Sequence, residues 1–218
     1  EAHHRRALAI RERAGGPNNP EILANLVGLA GNFQLQGRHA DAEPWLQRTL
    51  KLLEKVLPKE DAVWATVLSN LGANYQAQGR FAEAEVTLKR AFAIRERVQG
   101  PRHPELVGTL NNLANVYQLQ GNSADAETVY RRAIQLGKEV LTNEDSNLEA
   151  ALQNLGVLTA SLSRFDDATK AFTEALAIGE KARGKDHPNS ASVLSGLADV
   201  ERRQGRFAPP TNPSAPPL

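Results

Sequence analysis

The segment from Gly179 to Lys185 contains the two glycines and the lysine of a phosphate-binding loop, in which main-chain N–H groups and the lysine hold a nucleotide phosphate. That motif next requires a serine or threonine that binds magnesium, but Asp186 stands in its place. Such a loop must also follow a strand, whereas the apolar spacing before this segment predicts a helix that ends here. We therefore expect no nucleotide site.

The five histidines are the next candidates for catalysis or metal binding. His103 and His187 each precede a proline and lie 84 residues apart, and the adjacent His3 and His4 point in different directions if they lie on a helix. The sequence has no His-Glu-x-x-His motif and no cysteine. We expect no catalytic residue, no metal site and no cofactor, and the sequence does not indicate an enzyme.

Composition narrows the class of partner. The 218 residues carry a formal net charge of +1, which lacks the broad positive field of general nucleic-acid binders. No run of about eighteen apolar residues occurs, so we expect no membrane span. Without a signal peptide or such a span, we expect a cytoplasmic protein. Only 5% of the residues are aromatic, and frequent alanine favours closely packed helices over sheets.

A repeat of 42 residues organises the chain. Its clearest marker is a glycine that recurs at Gly37, Gly79, Gly121 and Gly205, with Ser163 in the remaining place. Two series of leucines follow the same period: Leu26, Leu68, Leu110, Leu152 and Leu194, then Leu29, Leu71, Leu113, Leu155 and Leu197. A fixed period of this length is the signature of a repeat architecture.

Each repeat is predicted to be a pair of helices. Val107, Leu110, Ala114 and Tyr117 have helical spacing, and the same spacing resumes after the glycine. The glycine suits a turn with positive φ. In three repeats the first helix is expected to begin with a proline: Pro20, Pro104 and Pro188. The expected N-caps of the first helices are Asn19, Asp61, His103, Asp145 and His187.

The pattern resembles the tetratricopeptide repeat, in the 42-residue form found in kinesin light chains. The residues that carry the resemblance are His103-Pro104, Leu110, Leu113-Ala114, Tyr117, Gln120-Gly121, Ala126-Glu127, Tyr130 and Ala133. The resemblance implies an all-α fold, a right-handed α-solenoid of antiparallel helix pairs with ten helices. It also implies that the first helix of each pair lines a concave face that binds a protein or peptide partner.

The register divides the chain into whole and incomplete repeats. We expect an unpaired second helix in 1–14, full repeats in 19–58, 61–100, 103–142 and 145–184, an unpaired first helix in 187–205, and a disordered proline-rich tail in 208–218. A fragment of a longer array is the simplest explanation. The alternative is that the unpaired helices of two molecules pack together, which gives head-to-tail homo-oligomers.

Amide side chains dominate the positions that the resemblance places on the concave face. The residue before each Leu-Gly or Leu-Ala pair is Asn70, Asn112 or Asn154. The other inward positions hold Ser69, Asn111, Gln153, Asn115, Gln34, Gln76 and Gln118, with Arg202 as a cation in the last helix. An amide offers both a donor and an acceptor, so this ladder suits the main chain of an extended peptide.

Two questions stay open at this level. The asparagines either contact a peptide or bond the neighbouring helix and set the stacking angle. The function is either that of an interaction scaffold, or that of a regulatory or sensor arm of a larger enzyme or transcription regulator that acts on a domain of the same polypeptide.

Overall fold

The computed structural model describes residues 1–58, 61–142 and 145–205. Within these residues the chain forms ten α-helices, one short 3-10 helix (Pro20–Ile22) and no strand. The α-helices are α1 (Ala2–Gly15), α2 (Leu23–Leu35), α3 (His39–Val56), α4 (Ala62–Ala77), α5 (Phe81–Gln99), α6 (Glu105–Leu119), α7 (Ser123–Val140), α8 (Ser146–Ser161), α9 (Phe165–Arg183) and α10 (Ser190–Arg203). The predicted all-α class with ten helices is confirmed, and the predicted tail in 208–218 lies outside the described residues.

The helices group into two compact units, an N-terminal unit of residues 1–129 and a C-terminal unit of residues 130–218. In the N-terminal unit each helix from α1 to α6 packs against the next one along the chain, and α4 also contacts α6. In the C-terminal unit α8 packs against α9, α9 packs against α10, and α8 contacts α10. First helices of successive repeats are thus neighbours inside each unit.

The turn inside each helix pair is built in the same way. Gly37 has a φ of 71°, and the amide of Arg38 donates to the carbonyl oxygen of Phe33 at 2.9 Å. This bond from the residue after a left-handed glycine back to the preceding helix is the Schellman ending. The same 2.9 Å bond recurs from Arg80 to Tyr75, from Asn122 to Tyr117 and from Arg164 to Thr159. Ser163 takes the glycine position of the last of these turns with a φ of 59°.

The predicted caps accept hydrogen bonds at the start of the first helices. The side chains of Asn19, Asp61, His103, Asp145 and His187 each accept from the main-chain amide two residues further on, at distances from 2.7 to 3.3 Å. The prolines do not open the α-helices as predicted: α6 begins one residue after Pro104, α10 begins two residues after Pro188, and α2 begins three residues after Pro20, which instead opens the 3-10 helix. Asp61 and Asp145 make the same cap bond, and their helices begin at the next residue.

Small residues let the paired helices approach closely. A Cβ at Gly72 of α4 would lie 2.6 Å from Cγ of Leu88 in α5, and a Cβ at Gly156 of α8 would lie 2.8 Å from the ring of Phe172 in α9. Ala84 of α5 is fully buried. The repeated glycines and alanines therefore mark the close contacts within the pairs, as helix packing requires.

Candidate peptide-binding face

The first helices α2, α4 and α6 lie side by side in the N-terminal unit, and we call the surface they form the first-helix face. The side chain of Gln34 in α2 reaches α4. Helix α4 in turn contacts α6. Most of the predicted peptide-contacting residues belong to these three helices, so their hydrogen bonds show which side chains are available to a partner.

Gln34 bonds the neighbouring helix. Its Nε2 donates to the main-chain oxygen of Asn70 at 3.1 Å and approaches Oδ1 of Asn74 at 3.5 Å. Asn74 is fully buried, and its Nδ2 donates to the carbonyl oxygen of His39 at 3.0 Å. These two amides therefore link α2, α3 and α4, which is the stacking role weighed against peptide contact.

Ser69 belongs to a cluster around a buried arginine that the sequence analysis did not identify. Arg95 of α5 is 3% exposed, and its Nη1 donates to Oγ of Ser69 at 3.2 Å and to Oγ1 of Thr109 at 2.6 Å. Its Nη2 donates to Oγ1 of Thr66 at 3.3 Å, and its Nε donates to Oε2 of Glu105 at 3.0 Å. Arg95 thus joins α5 to both α4 and α6 beneath the first-helix face.

A signal for this cluster was present in the sequence. Arg95 stands where the neighbouring repeats have Leu53 and Gly137. A charged residue at a register position that is otherwise apolar or small needs polar partners when it is buried. The hydroxyl groups of Thr66 in α4 and Thr109 in α6 supply these polar partners.

Asn70 and Asn112 have available amides. They lie at the same position of successive repeats, on the adjacent helices α4 and α6. Both side chains are half-buried, and neither makes a hydrogen bond within residues 1–58, 61–142 and 145–205. The half-buried amide of Gln76, further along α4, is equally unbonded within the described part of the chain. These amides can therefore meet a partner without first breaking an internal bond.

The remaining predicted residues of the N-terminal unit interact inside the molecule. Asn111 is buried, and Asn115 and Gln118 are half-buried. All three already interact with other groups of the protein. The amides at equivalent positions therefore divide into bonded and available groups.

In the C-terminal unit the predicted residues are mostly bonded. Nε2 of Gln153 donates to Oγ of Ser192 at 3.1 Å, which links α8 to α10. Asn154 interacts with another group of the protein. Arg202 donates to its own helix neighbour Asp199, and its side chain is 68% exposed.

An ion pair lies beside Gln153. Nη2 of Arg183 donates to both carboxylate oxygens of Glu149 at 2.7 Å, and Glu149 is 7% exposed. Gly179 makes room for this carboxylate, since a Cβ there would lie 2.6 Å from Oε1 of Glu149. A polar cavity of about 390 Å³ opens between α8 and α10 at this pair.

At both ends of the ladder a glycine stands in the asparagine position, and a ring lies close to it. A Cβ at Gly28 would lie 2.5 Å from Cε1 of His4, and a Cβ at Gly196 would lie 2.7 Å from Cζ of Phe172. The register equivalents of these rings are Leu46 for Asn70 and Leu88 for Asn112, but Tyr130 for Asn154, so a ring in this place does not by itself require glycine.

Apart from Tyr130 in α7, whose pKa is raised by burial, the resolved pKa shifts belong to surface ion pairs on the second helices and the turns. Lys89 donates to Oε1 of Glu85 at 2.6 Å and Gln120 donates to Oε2 at 3.0 Å, and together they hold the pKa of Glu85 below its usual value. The hydrogen bond from Arg80 likewise lowers the pKa of Glu83. These groups do not lie on the first-helix face.

The segment with phosphate-loop spacing is helical. Gly179 to Arg183 form the last turn of α9, and Gly184 ends that helix with a φ of 87°. The described residues contain no group of three or more histidine, aspartate or glutamate side chains placed to hold a metal ion. None of the described helices is both long and apolar enough to cross a membrane.

Several solved structures share the fold. The crystal structure of BtubC (BKLC) from P. vanneervenii has a TM-score of 0.79 and 20% identity, covering 100% of this chain and 95% of that one. A kinesin light chain protein from Podosopora anserina with nearly identical TPR-like repeats has a TM-score of 0.70 and 22% identity, covering 87% of this chain and 89% of that one.

A third similar structure contains a peptide. It is the Rap conjugation gene regulator of the plasmid pLS20 in complex with the Phr* peptide, with a TM-score of 0.70 and 15% identity. The match covers 84% of this chain and 49% of the regulator. At these identities the likeness shows the fold alone.

Sequence comparison places the chain in a family. No curated protein matches it. The family described as Tetratricopeptide repeat matches residues 1–55, 65–139 and 148–209, which is most of the chain. The helix pairs, the glycine turns and the small residues between paired helices agree with that match. The chain therefore belongs to the tetratricopeptide repeat family.

Proposed function

We propose that this chain is a protein-interaction scaffold, and that its first-helix face binds an extended segment of a partner polypeptide through Asn70 and Asn112. One observation carries the proposal: two amides at equivalent positions of adjacent helices make no hydrogen bond within the described residues. An extended peptide presents one donor and one acceptor at each residue, and an asparagine side chain matches both.

The proposed contact forms hydrogen bonds with the main chain of the partner rather than with its side chains. Gln76 adds a third amide about 1.7 turns further along α4. Main-chain contacts tolerate many sequences, so we expect the binding site to accept several related segments. Gln34 and Ser69 act differently, because their bonds to neighbouring helices keep α2, α4 and α6 in register.

The face is poor in free cations, which argues against capture of a chain end. Some related scaffolds hold a C-terminal carboxylate with inward lysine and arginine, but the corresponding places on α2, α4 and α6 are Ala24, Thr66 and Gly108. The cation beneath the face, Arg95, is buried and already paired with Glu105. We therefore expect an internal segment of the partner to bind.

A structural relative supports a peptide ligand. The Rap conjugation gene regulator, which has the same fold, was solved in complex with the Phr* peptide. The match covers 49% of that regulator, and the second candidate function is a sensor or regulatory arm of a larger protein. In that case the bound segment belongs to the same polypeptide.

The experiment compares three forms of the protein as bait for partners from the source cells. The forms are the wild type, the double variant Asn70→Ala/Asn112→Ala and the control Asn122→Ala, which removes an exposed amide at a turn. We expect mass spectrometry to find a partner that the wild type and the control retain and the double variant loses. A partner that all three forms retain equally contradicts the proposed site.

The bound segment then tests the chemistry. Peptides of that segment with single alanine substitutions should keep most of their affinity. Peptides with single N-methylated residues opposite Asn70 or Asn112 should lose affinity, because N-methylation removes a main-chain donor. The reverse result would show that side chains are recognised.

The predictions for the C-terminal unit and for self-assembly are tested separately. Gln153, Asn154 and Arg202 stay predicted peptide contacts, and Gln153→Ala/Asn154→Ala tests the amides in the same capture experiment. Leu194 on α10 is 47% exposed, and the predicted head-to-tail assembly would cover it. Sedimentation at rising protein concentration should show growing size if the assembly forms, and a constant mass would exclude it.

A further inference from the structure

A cavity of about 390 Å³ lies in the C-terminal unit, away from the first helices' exposed side. Helices α7, α8 and α9 surround it. Its apolar lining is formed by Ile134, Leu152, Leu155 and Ala171, and its polar lining includes Arg131 and Lys170. The proposed peptide contacts on the first-helix face do not use this cavity.

The cavity lies where the other repeats carry an aromatic ring. Thr159 of α8 lines it, and the residues at this position in the three preceding repeats are Phe33, Tyr75 and Tyr117. The hydroxyl of Thr159 donates to the carbonyl oxygen of Leu155 at 2.8 Å, within its own helix. The fourth repeat thus has a small side chain at the position of the ring, and Leu152 and Leu155 line the cavity beside it.

The repeat that contains Tyr75 shows what the ring does. A smaller hollow there, of about 370 Å³, is lined by Tyr75 itself together with residues of α5. The leucines equivalent to Leu152 and Leu155 do not line it. The cavity at Thr159 is therefore lined by the two leucines of its repeat, whereas the hollow at Tyr75 is not.

Cations flank the ring wherever it is present. The guanidinium of Arg38, after the turn, lies 4.5 Å from the centroid of Phe33, and that of Arg80 lies 4.2 Å from the centroid of Tyr75. From the preceding second helix, Arg5 lies 5.9 Å from the Phe33 centroid, and Lys89 lies 5.6 Å from the Tyr117 centroid. Such distances give attractive cation–π contacts.

The fourth repeat has a cation at both register positions, as the Phe33 repeat does, whereas the Tyr75 and Tyr117 repeats have one each. Arg131 is the register equivalent of Arg5 and Lys89, and it lines the cavity. Arg164 is the equivalent of Arg38 and Arg80, and its Nε donates to Oδ2 of Asp167 at 3.0 Å, just as Arg38 pairs with Asp41 at 2.7 Å. Asp167 also lines the cavity. The fourth repeat therefore has cations at the two positions that flank Phe33 in the first repeat, but it has no ring at the position of Phe33.

We propose that this cavity is a second binding site, which takes an aromatic side chain of a partner polypeptide in place of the ring that Thr159 lacks. The ring would contact the leucines through its edge and face, and Arg131 and Arg164 would face its π-system. Lys138 and Glu174, whose side chains pair at 2.6 Å across α7 and α9, close one side of the site.

The test uses N-acetyl-tyrosinamide as the probe and methyl NMR as the readout. We expect saturable shifts at Ile134, Leu152 and Leu155, and weaker ones with N-acetyl-leucinamide, which lacks a ring. The capped peptide Gly-Gly-Tyr-Gly-Gly should shift the same methyl groups, since the proposed ligand is part of a chain. Absence of saturable shifts at these methyl groups, or binding of the small amide without the peptide, overturns the proposal.

Two variants separate the site from adventitious binding. Thr159→Tyr should fill the cavity, abolish the shifts and raise the melting temperature. Arg131→Leu changes an exposed residue and should weaken probe binding about two- to fivefold, as expected for loss of one exposed cation–π contact. If Thr159→Tyr does not fold, Arg131→Leu decides alone, and unchanged affinity in that variant overturns the proposal.

Discussion

Nε2 of Gln34 in α2 donates to the main-chain oxygen of Asn70 in α4 at 3.1 Å, while the side-chain amide of Asn70 bonds to nothing within the described residues. One amide of the predicted ladder thus holds two helices together, and its neighbour remains available to a partner. Gln34 therefore carries the stacking role, and the amide of Asn70 is available for the proposed peptide contact.

The turn at Ser163 should be more stable with glycine. Ser163 has a φ of 59°, a left-handed conformation that costs a residue with a Cβ roughly 1 kcal/mol relative to glycine. Ser163→Gly should therefore raise the free energy of unfolding by up to about 1 kcal/mol, measured by urea denaturation.

The matched control for that variant is Gly121→Ser. Gly121 has a φ of 82° in the equivalent turn, so the serine should lower stability by about 1–2 kcal/mol. Equal and small effects in both directions would show that the left-handed residue does not limit the stability of these turns.

Gly196 should not tolerate a methyl group. A Cβ there would lie 2.7 Å from Cζ of Phe172, a ring that also lies against Gly156 and is 2% exposed. Gly196→Ala should therefore lower stability by about 1–3 kcal/mol, despite the better helix propensity of alanine. The cost should shrink in a Phe172→Leu background, which a double-mutant cycle measures.

Gly31 is the control for helix propensity alone. It lies inside α2, and a Cβ there would have no neighbour within 4 Å. Gly31→Ala should stabilise the protein by about 0.5–1 kcal/mol. A similar gain at Gly196 would contradict the close packing of Phe172.

The ion pair of Glu85 should contribute to stability only above acidic pH. Lys89 and Gln120 lower the pKa of Glu85 in the folded protein below the usual value of 4.5. Its contribution is therefore complete above about pH 4.5 and is lost as the pH falls through the lower folded-state pKa. Because the side chain is 25% exposed, we expect less than about 1 kcal/mol.

The measurement is the difference in unfolding free energy between the wild type and Glu85→Gln across the pH range. The difference should be present at neutral pH and should shrink below about pH 4.5. The control is Glu54→Gln, which changes an exposed carboxylate that has no ion pair within the described residues. A difference in unfolding free energy that does not change with pH would show that Glu85 does not contribute to the loss of stability in acid.

The repeat period predicted the architecture well because it acts through local rules. Leucine spacing, the turn glycines and the cap residues each specify a helix or its end from a few adjacent residues. The prolines show the limit, since the cap bond of Asn19 forms as predicted, yet Pro20 opens a 3-10 helix and α2 begins only at Leu23. Helix ends depend on such geometry rather than on residue type alone.

The candidate site was less predictable because equivalent positions have different surroundings. Asn111 and Asn112 are adjacent in sequence, yet Asn111 is buried and engaged while the amide of Asn112 is available. At Gly28 the ring of His4, on another helix, lies where a Cβ would be. Such differences arise from contacts between repeats, which a single period does not encode.

The most direct measurement is the affinity of the identified peptide segment for the wild type, for Asn70→Ala/Asn112→Ala and for the control Asn122→Ala, with the melting temperature of each. We predict that the double variant binds about tenfold more weakly or worse, as expected for loss of at least one or two peptide hydrogen bonds, while its melting temperature matches that of the control. Unchanged affinity, or an affinity loss accompanied by a comparable loss of stability, would contradict peptide binding through these two asparagines.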